Sequence, residues 1–369
     1  MKHAEIEMHF VTPAFLSGAD QTEAEFRAPS VRGLLRWWTR ALGYSAELEK
    51  TLFGSAGDKE DSRRSAVMIR DTTRAVIPSL FPKGGKLFSN YILWPYEKRQ
   101  GAQKFYSRKC IAQGARVSFS IQVRKKGVEF PEEILKSFLL LGALGSRSKR
   151  CYGSIWPDRV LIDGAEWKIP TTEAEFSTEL EKILDKKSNS LILALSEKNA
   201  TVEGALEEGV DFLERYRRGS PKSKEKEEVS YWGQSDHNSG LELLRRSLHK
   251  AGSCWGRSDH NSDSDSVVYR QALGLPLFQR YTGSVKGKVT SLVKGYDRLA
   301  SPLHLKIIPL QGGFVPLGIF FFDHLIPDGT EVELRDEAKG TQRKPLSNEL
   351  LRDYMAEDED TEVLGDFRR

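Results

Sequence analysis

Residues 27–43, RAPSVRGLLRWWTRALG, bring four arginines and two adjacent tryptophans into one short segment. At 100° per residue, the apolar side chains fall on one arc of a helix and three arginines fall on the opposite side. These are Arg32, Arg36 and Arg40, spaced i, i+4, i+8, and Arg27 comes just before the helix. Because phosphates bind guanidinium groups and helix N-termini, this row indicates contact with a polyanion.

The same row also has a purely structural interpretation. Like charges four residues apart destabilise a helix by about 0.2–0.5 kcal/mol per pair, and no acidic residue lies between Phe26 and Ser45. Carboxylates from elsewhere in the fold are then the partners of the arginines, with Thr39 beside the row. Trp37 and Trp38 lie on the apolar arc, which predicts core packing, with base stacking by Trp37 as the alternative.

A second candidate surface is the glycine-rich basic loop LGALGSRSKRCYGSIW, residues 141–156. Glycines let a backbone approach a phosphate closely, and free N–H groups in such a turn can form an anion nest. The loop has no P-loop signature, and it follows a predicted helix rather than a strand, which argues against a dinucleotide-binding fingerprint. An ordinary basic surface loop is the alternative. The candidate contacts are Gly145, Arg147, Lys149, Arg150 and Tyr152.

Signals for catalysis or metal binding are weaker. The segments WGQSDHNSG (232–240) and WGRSDHNSD (255–263) nearly repeat each other. Their Asp-His pairs suit a metal site or, alternatively, duplicated surface turns, and the hydrophilic context favours turns. We therefore expect no metal and no cofactor. No histidine lies in the arginine helix or the glycine-rich loop, so RNA cleavage at this surface is not expected. Asp20 is expected to shape a turn, with orientation of an arginine as the alternative.

The elements that position these residues follow from periodicity. HAEIEMHF alternates apolar and polar residues and predicts a strand over residues 3–10. The arginine helix is predicted to begin with Ser30 as N-cap and to end near Gly43. The next predicted elements are strands at 65–71 and 115–125, a helix from Pro131 and the strand IWPDRVLI. This strand–helix–strand–strand–helix–strand order is the ferredoxin-like arrangement, shared with RNA-recognition domains.

Beyond residue 170 the pattern is less regular. Residues 219–239 and 256–266 are rich in Ser, Lys, Asp and Glu, which predicts mobile insertions. The segment AEDEDTEVLGD predicts a disordered acidic tail. The further predicted elements are a strand at 190–196, helices at 203–218, 240–250 and 346–356, and a strand pair joined through Gly312 and Gly313.

Composition bounds the class of protein. A chain of 369 residues suits two domains. It has no apolar run long enough for a membrane span and no secretory signal, and its three cysteines are far apart, so we expect a cytoplasmic protein without disulfides. Residues 1–160 carry 27 Lys and Arg against 16 Asp and Glu, whereas the remainder carries 29 against 36. This asymmetry indicates a polyanion partner for the first half, or arises by chance.

Several motifs occur together in an order that resembles the RAMP superfamily of CRISPR–Cas proteins. Within that superfamily the chain resembles the first RAMP subunit family of the Cmr module, the type III-B effector complex. The motifs are TPAFLSGADQ, FRAPSVRGLLRWWTRAL, LFGS, LGALGSRSKRCYGS and RLASPLHLKI. The resemblance implies an α+β protein with two ferredoxin-like domains in tandem. The implied divisions are 1–165, 166–356 with insertions near 219–239 and 256–266, and an acidic tail at 357–369.

The resemblance also implies a function, a non-catalytic subunit near the 3′ end of the CRISPR RNA that contacts guide RNA, target RNA and other RAMP subunits. The implied RNA contacts are Arg27, Arg32, Arg36, Arg40, Gly145, Arg147, Lys149 and Arg150. Cys151 departs from the family loop, which usually has glycine there. Two alternatives stay open, a histidine-dependent endoribonuclease that processes CRISPR RNA on the same scaffold, and a scaffold protein that contacts only other subunits.

Overall fold

A computed structural model of the chain describes most residues outside the segment 219–276. The described ranges are 1–56, 62–75, 77–83, 87–88, 90–100, 103–184, 190–196, 198–218, 277–281, 287–293, 301–324, 327, 329–336, 340–345, 348 and 362–367.

Helices and strands alternate along the described residues. The helices are α1 (Ala28–Ala41), α2 (Ala46–Phe53), α3 (Asn90–Leu93), α4 (Glu132–Leu141), α5 (Glu173–Leu184) and α6 (Val202–Arg218). The strands are β1 (His3–Phe10), β2 (Val67–Asp71), β3 (Ser79–Leu80), β4 (Glu97–Gln100), β5 (Gln103–Tyr106), β6 (Cys110–Ile111), β7 (Arg116–Val123), β8 (Ile155–Ile162), β9 (Ala165–Glu166), β10 (Ser190–Ala194), β11 (Leu277–Tyr281), β12 (Gly287–Val293), β13 (Leu303–Leu310), β14 (Gly313–Phe321), β15 (Glu331–Asp336), β16 (Gly340–Pro345) and β17 (Glu362–Asp366).

The first sheet has the strand order β2-β7-β1-β8-β9, and all its neighbouring strands are antiparallel. Alternate residues of β1 are buried and the residues between them face outward, as a period of two requires. The rings of Phe119 on β7 and Phe138 on α4 lie 6.4 Å apart, so α4 covers the buried face, and α1 packs beside it. The predicted order of strands and helices is confirmed, with α2, α3 and β3–β6 as additional elements.

The second sheet has the order β13-β14-β10-β17. All five residues of β10 are buried, and the predicted strand pair on either side of Gly312 is confirmed as β13 and β14. The prediction of disorder is wrong for the last part of the acidic tail. β17 pairs antiparallel with β10, and the side chain of Leu364 is buried, which explains why this acidic segment is held.

The chain divides into two compact units. One comprises residues 1–210, 304–323 and 361–369 and holds the two sheets described above, apart from Leu303. The other comprises 211–303 and 324–360, and its described strands form the antiparallel sheet β11-β12-β15-β16.

Several predictions about the second half fall on residues outside the described ranges. These are the insertions at 219–239 and 256–266, the helix at 240–250, the helix at 346–356 apart from Asn348, and both Ser-Asp-His-Asn-Ser segments. The division at residues 165 and 356 stays a prediction. Among the described helices, none is long and apolar enough to cross a lipid bilayer.

Candidate nucleic-acid interface

α1 is anchored to the core through its apolar arc. Val31, Leu35 and Trp38 are buried, and Trp38 is 1% exposed. Trp37 is half-buried, and its ring lies 4.9 Å from that of His304 on β13 and 5.2 Å from that of Phe321 on β14. Both tryptophans therefore pack inside this compact unit, as the apolar arc predicts.

The start of α1 differs from the prediction. The helix begins at Ala28 with Arg27 as its N-cap residue, so Ser30 is not the N-cap. Pro29 already lies in the first turn, where its fixed φ suits a helix start and its missing N–H loses no hydrogen bond. Gly43, with φ of 70°, follows the end of the helix as predicted. Thr39 is buried rather than beside the exposed arginines, because its hydroxyl donates to the Leu35 carbonyl oxygen at 2.8 Å.

Two arginines of the row share one carboxylate from α2. Arg36 Nη2 lies 2.9 Å and Arg40 Nη1 lies 2.7 Å from Glu49 Oε1, and the Glu49 residue is 7% exposed. α2 begins with Ser45, whose hydroxyl oxygen accepts from the Leu48 N–H, so this short helix is capped in a position that places Glu49 beneath the arginines. The acid that α1 lacks is thus supplied by the next helix along the chain.

The other two predicted arginines also have partners. Arg32 Nη2 donates to the Val67 carbonyl oxygen of β2 at 2.9 Å, and Arg27 Nε lies 3.1 Å from Glu25 Oε1. The Val67 carbonyl is an uncharged acceptor, so this hydrogen bond does not neutralise the charge of Arg32. Arg32 therefore differs from Arg36 and Arg40, because its guanidinium binds a backbone carbonyl oxygen of the first sheet.

The backbone of the glycine-rich loop is held in left-handed conformations. Gly145 has φ of +96°, and a Cβ there would lie 2.7 Å from the Phe15 carbonyl oxygen. Cys151, at the position where the family usually has glycine, has φ of +67°. The departure in residue type therefore leaves the glycine-like geometry in place, at a cost in strain of about 1–2 kcal/mol.

Part of the loop adds to the edge of the second sheet. The Cys151 N–H donates to the Leu305 carbonyl oxygen at 3.0 Å, and the Leu305 N–H donates to the Lys149 carbonyl oxygen at 3.1 Å. The Ile307 N–H donates to the Ser154 hydroxyl oxygen at 3.0 Å. β13 is thus paired on both sides, and the Cys151 N–H and the Lys149 carbonyl of the loop are committed to β13. The Cys151 N–H is therefore not free to bind an anion, and an anion nest elsewhere in the loop stays a prediction.

The basic side chains of the loop rest on aromatic rings. The guanidinium of Arg147 lies 5.5 Å from the centre of the Tyr96 ring, and that of Arg108 lies 5.2 Å from the same ring. Lys149 Nζ lies 5.5 Å from the centre of the Trp37 ring on α1, and burial lowers the pKa of Lys149 to about 8. Such contacts between cations and rings hold the charged groups in defined positions.

Tyr152 is a correction to the predicted set of contacts. Its side chain is fully buried and its hydroxyl donates to the Leu87 carbonyl oxygen at 3.2 Å, so the ring has no surface to offer a base. Arg150 forms a parallel bridge with Leu305 through its backbone. The structure therefore joins the loop to α1 through Lys149 and Trp37, while Arg36 and Arg40 face α2.

Sequence reasoning missed the aromatic and basic segment YEKRQGAQKFYSRK, residues 96–109. Its Tyr96 and Arg108 join Arg147, and its Tyr96 hydroxyl donates to the Ser146 hydroxyl oxygen at 2.7 Å. The density of Lys, Arg and aromatic residues in that segment is the signal that could have identified it. Asp20, by contrast, has the predicted turn role, because its carboxylate accepts from the N–H and hydroxyl of Thr22 and these bonds lower its pKa.

The outward face of the first sheet lacks the features of a base-stacking platform. On β1 it presents Glu5 and Glu7, which lie opposite Ser120 and Ser118 of β7. His9 Nδ1 lies 2.8 Å from Asp158 Oδ1 on the same sheet. Among the residues that the structure describes, no group of three or more His, Cys, Asp or Glu side chains is placed to hold a metal ion. The geometry thus defines an α+β protein whose basic groups lie around α1 and the glycine-rich loop.

Comparison with known proteins finds one family over part of the chain. The RAMP superfamily matches residues 7–156, a range that runs from β1 through α1 to the end of the glycine-rich loop. This match covers less than half of the chain, and it confirms the resemblance inferred from the motifs.

Several similar proteins carry Cmr names. The CRISPR system Cmr subunit Cmr1-2 of Pyrococcus furiosus is 40% identical over 68 residues, which are 16% of this chain and 36% of that protein, so the match spans about a third of the relative's length. The crystal structure of Cmr1 from Pyrococcus furiosus in its apo form matches with a TM-score of 0.50 and 17% identity, covering 89% of this chain and 90% of that chain. This similarity shows a shared fold. A chain of the type III-B Cmr-beta complex bound to cognate target RNA matches with a TM-score of 0.48 and 13% identity, covering 95% of this chain and 97% of that chain.

Proposed function

We propose that this protein is a non-catalytic, RNA-binding subunit of a type III-B Cmr effector complex. In this proposal it binds CRISPR RNA near its 3′ end, target RNA, or both, and its protein partners are other RAMP subunits of the complex. The match of residues 7–156 to the RAMP superfamily and the Cmr name of the curated relative support the assembly. The excess of basic residues over residues 1–160 supports a nucleic-acid partner.

The observation that carries the RNA-binding role is the position of the two loop cations. Arg147 and Lys149 rest on Tyr96 and Trp37, and in neither contact is the charge paired with a carboxylate. Pre-positioned cations beside aromatic rings suit a single strand, whose phosphates and bases both need partners. Recognition by stacking on the outward sheet face is not favoured, because β1 presents carboxylates there.

We also propose the tandem ferredoxin-like architecture that the resemblance implies. Along the chain, β1, β2, β7 and β8 are the four main strands of the first sheet, and they pair in the order second, third, first, fourth. β10, β13, β14 and β17 pair in that same order in the second sheet. The repeated order supports two copies of one topology.

The non-catalytic part of the proposal rests on the described histidines nearest the loop. His304 packs against Trp37 and Phe321 and is 9% exposed, so it does not reach a 2′-hydroxyl. One observation favours a second candidate function, a scaffold without RNA contact. Because Glu49 already neutralises part of the charge of Arg36 and Arg40, these two arginines satisfy the structural interpretation.

The test compares two double variants of the full chain. Arg147→Gln with Lys149→Gln removes the loop cations, and Arg70→Gln with Arg116→Gln is the matched control, since Arg70 and Arg116 are exposed strand residues. Fluorescence anisotropy with a labelled single-stranded CRISPR RNA at several salt concentrations should show weaker binding and a shallower salt dependence for the loop variant alone. Failure of the wild-type chain to bind either guide or target RNA would favour the scaffold. Specific cleavage of repeat RNA by the wild type, with or without divalent metal, would favour the endoribonuclease.

A further inference from the structure

A basic pocket lies where the first sheet meets α1, on residues that sequence reasoning did not single out, apart from Arg32. Its volume is about 710 Å³. We define the basic pocket by its five charged lining residues, which are Arg32, Arg63, Arg64, Arg124 and Lys125. The described residues that line the basic pocket include no carboxylate.

Pairing of two strands brings these cations together. Val67 of β2 lies opposite Val123 of β7, so the residues just before β2 and just after β7 meet at one end of this strand pair. The Arg124 N–H donates to the Ala66 carbonyl oxygen at 2.8 Å, which extends the pairing into the basic pocket. Arg32 reaches the same place from α1, where its guanidinium donates to the Val67 carbonyl oxygen.

Among the residues that the structure describes, the charge of the basic pocket is only partly offset. Glu47 on α2 pairs with Arg63. Arg64, Arg124 and Lys125 are exposed, and Arg32 is held by a backbone carbonyl rather than by an acid. Like charges gathered in one concave place repel one another and destabilise the fold unless an anion binds there. A sequence that accepts such a cost is typical of a functional site.

We propose that the basic pocket binds the phosphodiester backbone of an RNA strand. Guanidinium groups bind phosphate oxygens in pairs with a fixed fork geometry, and four of the five cations are arginines. Arg32 lies on α1 and also lines the basic pocket, so a strand bound in the basic pocket would reach the arginine helix as well. This inference rests on the proposed RNA-binding function and adds to it a second contact surface, separate from the loop cations.

The experiment uses the full-length chain and a labelled single-stranded RNA. Arg64→Gln with Arg124→Gln removes two exposed cations of the basic pocket. The control is again Arg70→Gln with Arg116→Gln, which makes the same charge change on β2 and β7 outside the basic pocket. We expect about tenfold weaker binding for the basic-pocket variant than for the control. We also expect the magnitude of the negative slope of log Kobs against log salt to decrease by about 1.4. Two phosphate contacts are lost, and each contact on a single strand contributes about 0.7.

Equal affinities and slopes for the two variants, with wild-type binding intact, would overturn the inference and leave the proposed function standing. Absence of RNA binding by the wild type would overturn the proposed function itself.

A competition experiment distinguishes an RNA strand from a small anion as the ligand of the basic pocket. Inorganic phosphate or AMP at constant ionic strength should not displace the RNA, and displacement down to the level of the basic-pocket variant would assign the basic pocket to small phosphates instead.

Discussion

Arg40 and Glu49 form the contact that decides how the arginine row of α1 is used. Arg40 Nη1 lies 2.7 Å from Glu49 Oε1, and Arg36 Nη2 approaches the same oxygen at 2.9 Å. The Glu49 side chain is 10% exposed, whereas those of Arg36 and Arg40 are 38% and 55% exposed. One buried carboxylate thus organises two arginines whose outer parts face solvent, and one positive charge of the three groups stays uncompensated.

Glu49→Gln should separate the structural use of these arginines from their use in RNA binding. Removing the carboxylate leaves two neighbouring cations without their shared partner, and we expect the free energy of unfolding to fall by about 1 kcal/mol. The added positive charge should at the same time strengthen RNA binding at low salt. Urea unfolding and anisotropy measure the two effects, and Glu181→Gln, which removes an exposed carboxylate of α5 away from the basic pocket, is the control. Weaker RNA binding by a folded Glu49→Gln protein would contradict the prediction.

Gly145→Ala should destabilise the fold through both strain and a clash. A side chain at φ of +96° is strained, and the new Cβ would meet the Phe15 carbonyl oxygen at 2.7 Å, so we expect a loss of about 2–3 kcal/mol. Gly127→Ala is the control, because Gly127 has φ of +78° but no atom lies within 4 Å of the place that its new Cβ would take, and its cost should be about 1 kcal/mol. Thermal unfolding checks both values. Equal losses at the two positions would show that the contact with Phe15 yields without cost.

RNA affinity should depend on pH through Lys149. Burial lowers its pKa to about 8, so Lys149 is charged below that pH and loses its charge as the pH rises through it. Binding should therefore weaken by up to about tenfold between about pH 7 and about pH 9, the value of one charged hydrogen bond. Lys149→Arg should abolish this dependence, since a guanidinium stays charged. An unchanged pH profile in Lys149→Arg would show that another group is responsible.

Lys306 should make the stability of the fold depend on pH. The residue is 1% exposed, its Nζ donates to the Leu139 carbonyl oxygen at 3.0 Å, and burial lowers its pKa well below the ordinary value of 10.5. In the range between these two pKa values the unfolded chain binds more protons than the native chain, so the free energy of unfolding rises with pH there. Lys306→Met keeps the packing against Trp156 and should flatten this dependence in urea unfolding at several pH values. A slope equal to that of the wild type would contradict the expected role of Lys306.

Patterns within short segments were sufficient to predict many elements. The period of two in β1 and the apolar arc of α1 each reflect burial of one face of a single element, and both are confirmed. β17 was missed because its order depends on a distant element. Its acidic composition alone predicts disorder, and only pairing with β10 holds it in place. The candidate site was predicted only in part. Residue types identified Arg147 and Lys149, but nothing local indicated that Tyr152 turns inward.

By itself, the sequence determined the resemblance to the RAMP superfamily, the first strand and the helical phase of α1, since each depends on residues that are close together along the chain. Only the tertiary structure decided which charges are paired. Glu49 reaches Arg36 and Arg40 because α2 turns back beside α1, and Arg64 and Arg124 line one pocket because β2 and β7 pair. The partner of a charged side chain is set by distance in space, because the interaction between two charges falls steeply beyond a few ångströms in water and salt. The charge pairing of an arginine row is therefore set by the elements that fold against it, and the sequence order of those elements does not reveal it.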